Sequence, residues 1–431
     1  MALAPHDLTV KLFLQLAVIL AACRVCGWLG RRVGQTQVVS EMVAGVLLGP
    51  SLFGLIAPAA QAWLFPTTLA AGAGGMHPSM LILYALSQIG LVLYMFMIGM
   101  EFNHRLILGR VRHASLVSGA GIAVPMALGA FAAYALRGDA DLFAPHVTPG
   151  AAALYLGAAM SITAFPMLAR ILHEKGIART RMGTLTLAAG SSDDAAAWCL
   201  LALVLSYLGG SWLIAFLAIG GGVLYVAVML LLGRPLLRAL DHGVDAEGRL
   251  TPGTLVAGLL VLMLGAFATD VVGIYAVFGA FIAGIAMPRG RFADAAIHHL
   301  DLLTTTFLLP VFFVYSGLNT QIALLDSPAI WRVALILVTL SIAGKGVACL
   351  VAARVSGEPW RESITIGVLM NARGLMELII LNIGLQRGVI TPTLFTIMVL
   401  MAVVTTLMAS PLFELAYGRR AAVTGQEEQP A

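Results

Sequence analysis

The sequence predicts an all-α polytopic membrane protein. Of its 431 residues, 60% are hydrophobic and 11% are charged, against about 25% charged residues in an average soluble domain. Its apolar runs also repeatedly reach the ~20 residues that an α-helix needs to cross a bilayer. A chain with this few charged residues cannot cover the surface of a soluble protein of this size. The composition therefore excludes a soluble globular protein.

Thirteen segments have the length and hydropathy of a membrane-spanning helix. They cover residues 8–29, 37–57, 80–99, 114–136, 150–172, 182–208, 211–232, 251–270, 273–288, 303–318, 329–353, 362–385 and 391–414. The first is a full span rather than the short apolar stretch of a removable signal peptide. After residue 417 we expect only a short polar tail.

The basic residues predict the orientation of these spans. Eighteen lysines and arginines fall in the loops after the odd-numbered spans up to span 11 and in the tail, against four on the opposite side. The richer side is cytoplasmic by the positive-inside rule, which places the N-terminus outside and the C-terminus in the cytoplasm. The net charge of +4 indicates no nucleic-acid partner, because the basic residues form no cluster.

Two adjacent acids, Asp193 and Asp194, lie within the apolar segment 182–208. An ionised side chain at the centre of a bilayer costs about 3 kcal/mol, so these acids must face water, a counter-ion or a transported cation. Adjacent helical residues point about 100° apart, so the two cannot share one partner. Lys345 is the natural partner for one of them, because no other lysine lies deep in a predicted span.

Other charges in the spans have simpler interpretations. Arg373 and Glu377 are four residues apart and can neutralise each other on one helix face, which favours a structural ion pair over contact with a substrate. Glu41 stands among small residues typical of helix packing. Asp270 is close to a span boundary, where an acid at headgroup level is ordinary.

Two spans carry helix-breaking residues. In segment 150–172, Thr163 precedes Pro166, and a proline frees backbone carbonyls that can coordinate a cation, although a kink without function gives the same pattern. Asn371, Arg373 and Gly374 interrupt segment 362–385. These spans are seven apart, as expected if spans 1–6 and 8–13 are inverted repeats joined by span 7, and paired interruptions are typical of a transporter's ion site.

Six stretches together resemble a known family. They are YMFMIGMEF at 94–102, SITAFPMLARIL at 161–172, DDAAAWCLLA at 193–202, GIYAVFGAFIAGIAMP at 273–288, PVFFVYSGLNT at 310–320 and NARGLMELIILNIG at 371–384. In type and order they resemble the monovalent cation/proton antiporter superfamily, which has the sodium/hydrogen exchanger fold. Within it the chain is most similar to the second cation/proton antiporter family, with its plant and fungal exchangers and Kef-like bacterial relatives.

The resemblance implies a fold in which two broken helices cross beside the acidic doublet. It implies a homodimer, with a core domain that moves against a dimerisation domain. The expected divisions are a transmembrane domain over 1–417, with the core at 114–208 and 329–414, dimerisation segments at 8–99 and 251–318, a linker helix at 211–232 and a tail at 418–431.

The resemblance also implies roles for individual residues. Asp194 matches the essential ion-binding acid, Thr163 a ligand from the broken helix, and Lys345 the lysine that pairs with the first acid. Many exchangers of this branch have asparagine where this chain has Asp193. An acid doublet with a lysine resembles the electrogenic members instead.

The expected function is therefore exchange of Na⁺ or K⁺ for protons across the inner (plasma) membrane, without a cofactor. The branch suggests K⁺ and the acid doublet suggests Na⁺, so both stay open. A channel would place rings of carbonyls or charges along an axis, and a uniporter or organic-anion symporter on a related fold should lack the lysine partner. An intramembrane enzyme would need a Ser/His pair or an HExxH site, and the spans contain neither.

Overall fold

A computed structural model gives the fold of the chain. It describes residues 5–66, 76–102, 111–137, 141–178, 180–209, 212–245, 248–273, 275–318, 327–374, 377, 380–381, 384–385 and 387–418. Apart from two isolated β-bridges, the regular structure within these residues is helical. The all-helical class predicted from the sequence is confirmed. Of the predicted tail 418–431, only Gly418 lies inside the described residues.

Nineteen α-helical segments follow one another in these residues. In the first half of the chain they are α1 Pro5–Arg32, α2 Gln37–Leu48, α3 Phe53–Ile56, α4 Pro58–Leu64, α5 Pro78–Glu101, α6 Val111–Ala135, α7 Pro149–Ser161, α8 Phe165–Glu174, α9 Arg181–Gly209 and α10 Trp212–Val228. In the second half they are α11 Arg234–Leu237, α12 Pro252–Val272, α13 Ala276–Ala286, α14 Arg291–Leu303, α15 Leu309–Leu318, α16 Pro328–Ser341, α17 Ala348–Val355, α18 Trp360–Met370 and α19 Pro392–Tyr417.

Wider or tighter turns join some of these segments into continuous helices. The π-helical turns are Met229–Gly233, Thr304–Leu308 and Ile342–Val347, and the 3₁₀ turn is Arg238–Gly243. The turn Ile342–Val347 joins α16 to α17 and contains Lys345. Single π turns inside α-helices are frequent at functional sites.

Nine helices within the described residues are long and apolar enough to cross a membrane. They are His6–Arg32, Gln37–Ile56, Pro78–Glu101, Arg112–Ala135, Ile219–Gly243, Pro252–Val272, Arg291–Tyr315, Pro328–Val355 and Pro392–Tyr417. The other predicted segments also contain helices, namely α7 with α8, α9, α13 and α18. The chain is thus a multi-pass membrane protein, and thirteen crossings stay a prediction.

The chain divides into two compact units. The first unit comprises Met1–Val25, Glu41–Phe102 and Gly210–Asn319, and the second comprises Cys26–Ser40, Asn103–Gly209 and Thr320–Ala431. The acidic doublet and both interrupted spans lie in the second unit. The assignment of one set of segments to a core and another to dimerisation stays a prediction.

In the second unit the span predicted at 150–172 is two helices. Helix α7 ends at Ser161, and α8 begins at Phe165. Pro166 lies in the first turn of α8, where a missing N–H removes no helical hydrogen bond. Ile162 between the helices has an extended backbone, with φ −65° and ψ 135°. Pro166 therefore starts a new helix rather than kinking a continuous one.

The second interruption lies against the first. Helix α18 ends at Met370, and in the segment that follows the Ala372 carbonyl accepts a hydrogen bond of 3.3 Å from the Ala164 N–H. A Cβ built on Gly374 would lie 2.9 Å from the Ala164 Cβ, so a larger side chain there would push the two segments apart. The crossing of the two helices and the inverted repeat stay predictions.

Small residues allow helices of the first unit to approach each other closely. Helices α5 and α13 approach at Gly99 and Gly284, where a Cβ built on Gly99 would lie 2.9 Å from the Gly284 Cα. Close backbone approach at small residues is a main source of helix association in membranes, because lipid tails are as apolar as the side chains.

Replacing Gly99 by alanine is expected to lower the melting temperature of the purified protein in detergent. The added methyl group must displace backbone atoms of α13, and such overpacking costs about 1–3 kcal/mol. Gly119 on α6 is the matched control, because a Cβ built there meets no atom within 4 Å. Gly119→Ala should leave the melting temperature unchanged or raise it through helix propensity. Equal effects of the two changes would contradict the packing argument.

Candidate functional site

The acidic doublet lies on α9, and both acids are buried. Asp193 is 1% exposed and Asp194 is 5% exposed. The Oδ2 atom of Asp193 accepts a hydrogen bond of 2.7 Å from the Thr163 hydroxyl and lies 3.1 Å from the Lys345 Nζ. Thr163 stands in the extended segment between α7 and α8. The structure therefore brings together the first acid, the lysine and the threonine that the sequence singled out.

The hydroxyl of Thr163 contacts Asp193 in this arrangement. The resemblance implied that Thr163 is a cation ligand beside Asp194. Asp194 is the next residue along α9, and its side chain leaves the helix about 100° away from that of Asp193. For Thr163 to bind a cation held by Asp194, its hydroxyl must therefore leave Asp193 or contact both acids.

Lys345 is completely buried, and each of its three ammonium hydrogens has an acceptor. The Nζ atom donates to the Gly121 carbonyl at 2.9 Å, to the Ser161 carbonyl and to the Asp193 carboxylate at 3.1 Å. An ammonium group has three donors and no acceptor, so this set satisfies it fully. Breaking a buried pair by removing one partner leaves an uncompensated charge and is strongly destabilising.

Arg373 is also fully buried, and its guanidinium binds the end of α7. Two shorter bonds of 2.6 Å go from Nη2 to the Met160 carbonyl and to the Ser341 hydroxyl, and Nη1 donates to the carbonyls of Ala159 at 3.2 Å and Ile162 at 3.4 Å. Together with the bond from Lys345 to Ser161, two cations bind four consecutive carbonyls, those of residues 159–162. These are the carbonyls that a helix end leaves without intrahelical partners.

The sequence favoured a self-neutralising pair of Arg373 with Glu377. The structure places the Arg373 Nη1 3.5 Å from the Glu377 Oε2, with both side chains inaccessible to solvent. Its bonds to the α7 carbonyls are shorter than this contact. The guanidinium thus joins the two interrupted spans as well as facing Glu377, a role that the spacing of the two residues did not reveal.

Three further residues position this site, and sequence reasoning did not single them out in that role. Gly121 supplies a carbonyl to Lys345, and Ser341 accepts from Arg373. Thr406 on α19 accepts from the Arg373 N–H at 3.0 Å and donates to the Arg373 carbonyl at 2.8 Å, which holds the backbone after α18. For Ser341 and Thr406 the available signal was a hydroxyl inside an apolar span, but such residues are common in packed membrane helices.

Comparison with known proteins identifies the family. The transmembrane sodium/hydrogen exchanger model matches residues 18–415. This chain belongs to the sodium/hydrogen exchanger family. It is 39% identical over 402 residues to the Na⁺/H⁺ antiporter NhaS4 of Synechocystis, an alignment that covers 92% of this chain and 94% of that protein. The resemblance to cation/proton antiporters is confirmed.

A plant relative is longer than this chain. Cation/H⁺ antiporter 18 of Arabidopsis thaliana is 33% identical over 433 residues, which cover 99% of this chain and 52% of the relative. The chain thus spans about half the length of that exchanger. The sodium proton antiporter MjNhaP1 of Methanocaldococcus jannaschii has the same fold, with a TM-score of 0.62, 14% identity and coverage of 98% of this chain and 100% of that one.

Arg373→Lys is expected to lower the melting temperature by more than the same change at an exposed arginine near a helix end. A lysine cannot reproduce the planar fork that binds several carbonyls at once. The matched control is Arg361, an exposed arginine that also binds two carbonyls near the end of α19, that of Ala416 at 3.3 Å and that of Tyr417. Arg361→Lys should change the melting temperature little, because exposed contacts contribute little. Similar losses in both variants would contradict the capping role of Arg373.

Proposed function

We propose that this protein exchanges a monovalent cation, Na⁺ or K⁺, for protons by alternating access of a site around Asp194. The observation that carries the proposal is the buried group of Asp193, Thr163 and Lys345 beside Asp194, at the place where α7 gives way to α8. Family membership supports transport as the general activity, and the similarity to the Na⁺/H⁺ antiporter NhaS4 supports Na⁺ and H⁺ as the exchanged ions.

The exchange follows from competition at one carboxylate. Asp194 cannot hold a proton and a dehydrated cation together, because a bound cation favours the ionised acid and a bound proton removes its charge. Exposure of the site to one side of the membrane therefore releases one ligand and admits the other. Oxygen atoms of residues 163 and 164, between α7 and α8, suit a hard monovalent cation as further ligands.

Asp193 and Lys345 set the charge that moves in each cycle. If cation binding draws Asp193 away from Lys345, the lysine loses its anionic partner and releases a proton. One cation would then exchange for two protons, one from Asp194 and one from Lys345. Each cycle would move a net charge across the membrane.

The remaining assignments belong to the same proposal. The protein is a homodimer in the inner membrane, with the N-terminus outside and the C-terminus in the cytoplasm. The moving core comprises residues 114–208 and 329–414. The dimerisation domain comprises residues 8–99 and 251–318, and the helix that links the two comprises residues 211–232. The excess of basic residues in alternate loops supports the orientation, and the capped helix break supports a core that moves as a rigid body.

Asp194→Asn is expected to abolish exchange in proteoliposomes and to leave folding intact. Asparagine is close in size to aspartate but cannot exchange a proton for a cation. A pH-sensitive dye inside the vesicles measures proton movement when Na⁺, K⁺ or Li⁺ is added, which also identifies the cation. Asp270→Asn is the control, because Asp270 is exposed in the first unit and should keep full activity. Full exchange by Asp194→Asn would refute the site.

The rate of exchange is expected to respond to an imposed membrane potential. Moving one charge through 100 mV is worth about 2.3 kcal/mol, so a potential of that size should change the rate several-fold even if only part of it acts on the slow step. The double change Asp193→Asn with Lys345→Met removes both members of the pair and should make exchange insensitive to the potential. A potential-independent rate in the unchanged protein would rule out electrogenic exchange.

A further inference from the structure

Helix α6 approaches the π-helical turn of Lys345 very closely. A Cβ built on Gly121 would lie 2.7 Å from the Cys349 Sγ and 3.6 Å from the Asp193 Oδ2. A Cβ built on Gly344 would lie 3.6 Å from the Pro125 Cα. Gly121 of α6 therefore lies beside the ammonium of Lys345, and Pro125 lies against the turn at Gly344.

Pro125 lies inside α6, four residues after Gly121. In an α-helix the N–H of residue 125 would bond to the carbonyl of residue 121. Proline has no N–H, and its ring crowds the carbonyl four residues earlier. The Gly121 carbonyl thus lacks its helical donor, and it accepts the Lys345 Nζ at 2.9 Å instead.

A second proline inside a helix shows the same arrangement elsewhere in the second unit. Pro411 lies inside α19, four residues after Leu407. The Leu407 carbonyl accepts a hydrogen bond of 2.8 Å from the Gln35 Nε2. In both helices, the carbonyl that a proline leaves without a donor is used by a side chain from another segment.

We infer that Pro125 is a positioning residue for Lys345: it frees the Gly121 carbonyl, which then holds the ammonium beside Asp193. Pro125 itself supplies no atom to the cation or the proton. Its contribution is indirect: it leaves the Gly121 carbonyl available as one of the three acceptors that satisfy the buried ammonium. The relevance of this contact to transport rests on the proposed function, whereas the contact itself is a property of the fold.

The physical consequence is a coupling between Pro125 and Lys345. Pro125→Ala restores an N–H that competes with the lysine for the Gly121 carbonyl, so part of the lysine bond is lost. When Lys345 is replaced by methionine, the same N–H becomes the donor that the buried Gly121 carbonyl needs. Pro125→Ala should therefore affect the stability of the fold more favourably in the Lys345→Met protein than in the natural protein.

The test is a double-mutant cycle on the melting temperature of the full-length protein in detergent. Pro125→Ala should change the melting temperature more favourably in the Lys345→Met background than in the natural one, by about 2 °C or more, as expected for a hydrogen bond to a charged group. A proline that only bends α6 would give the same change in both backgrounds. Equal changes, or a less favourable change without the lysine, would overturn the inference.

Pro411→Ala supplies the crossed control. The change in melting temperature caused by Pro411→Ala should differ between the natural and the Gln35→Leu backgrounds. It should be the same with and without Lys345. A coupling of Pro411→Ala to Lys345→Met as large as that of Pro125→Ala would indicate a global effect and would also overturn the inference. Neither cycle measures transport, so a failure of the proposed exchange activity leaves both results interpretable.

A lone Lys345→Met change leaves Asp193 buried without its cation and can prevent folding. The double change Asp193→Asn with Lys345→Met then serves as the background, because it removes both charges together. The same excess of about 2 °C is expected there, and equal changes in the two backgrounds again count against the inference.

Discussion

The carbonyl end of helix α7 is the constraint on which the second unit depends. A helix that stops inside an apolar span leaves its last carbonyls without donors, and each unsatisfied group costs several kcal/mol where no water is present. Here Arg373 and Lys345 supply those donors to residues 159–162. Two cations that would be costly alone in a membrane are stabilised by the same contacts, so the break and the buried charges support each other.

This mutual dependence explains why the charged residues and the irregular backbone occur together. The negative end of a helix dipole favours cations at its carbonyl end, and the acids Asp193 and Glu377 lie within 3.5 Å of Lys345 and Arg373, respectively. The result is a polar centre inside apolar helices, held by bonds from several segments. Lys345 therefore joins Asp193 to the end of α7 by direct hydrogen bonds.

Some parts of this centre could be predicted from the sequence with elementary arguments. The cost of burying a charge singled out Asp193, Asp194 and Lys345. Pro166 and Asn371 marked the two interruptions. The sequence did not reveal that Pro166 begins a helix, because a proline inside an apolar run has the same local pattern at a kink and at a helix start. The carbonyl ligands of Arg373 also escaped prediction, since they lie more than 200 residues away along the chain.

The sequence by itself determined the membrane class, the helical segments and the set of residues whose charge needs compensation, because these follow from composition, periodicity and desolvation. Its motifs also resembled the sodium/hydrogen exchanger family, to which the chain belongs. Only the tertiary structure decided which buried donor bonds to which acceptor. Thr163 bonds to Asp193, and Arg373 binds the carbonyls of residues 159, 160 and 162. The carbonyl freed by Pro125 accepts a hydrogen bond from Lys345. Hydrogen bonds are short and directional, so partners from distant segments are defined only when the helices are packed together.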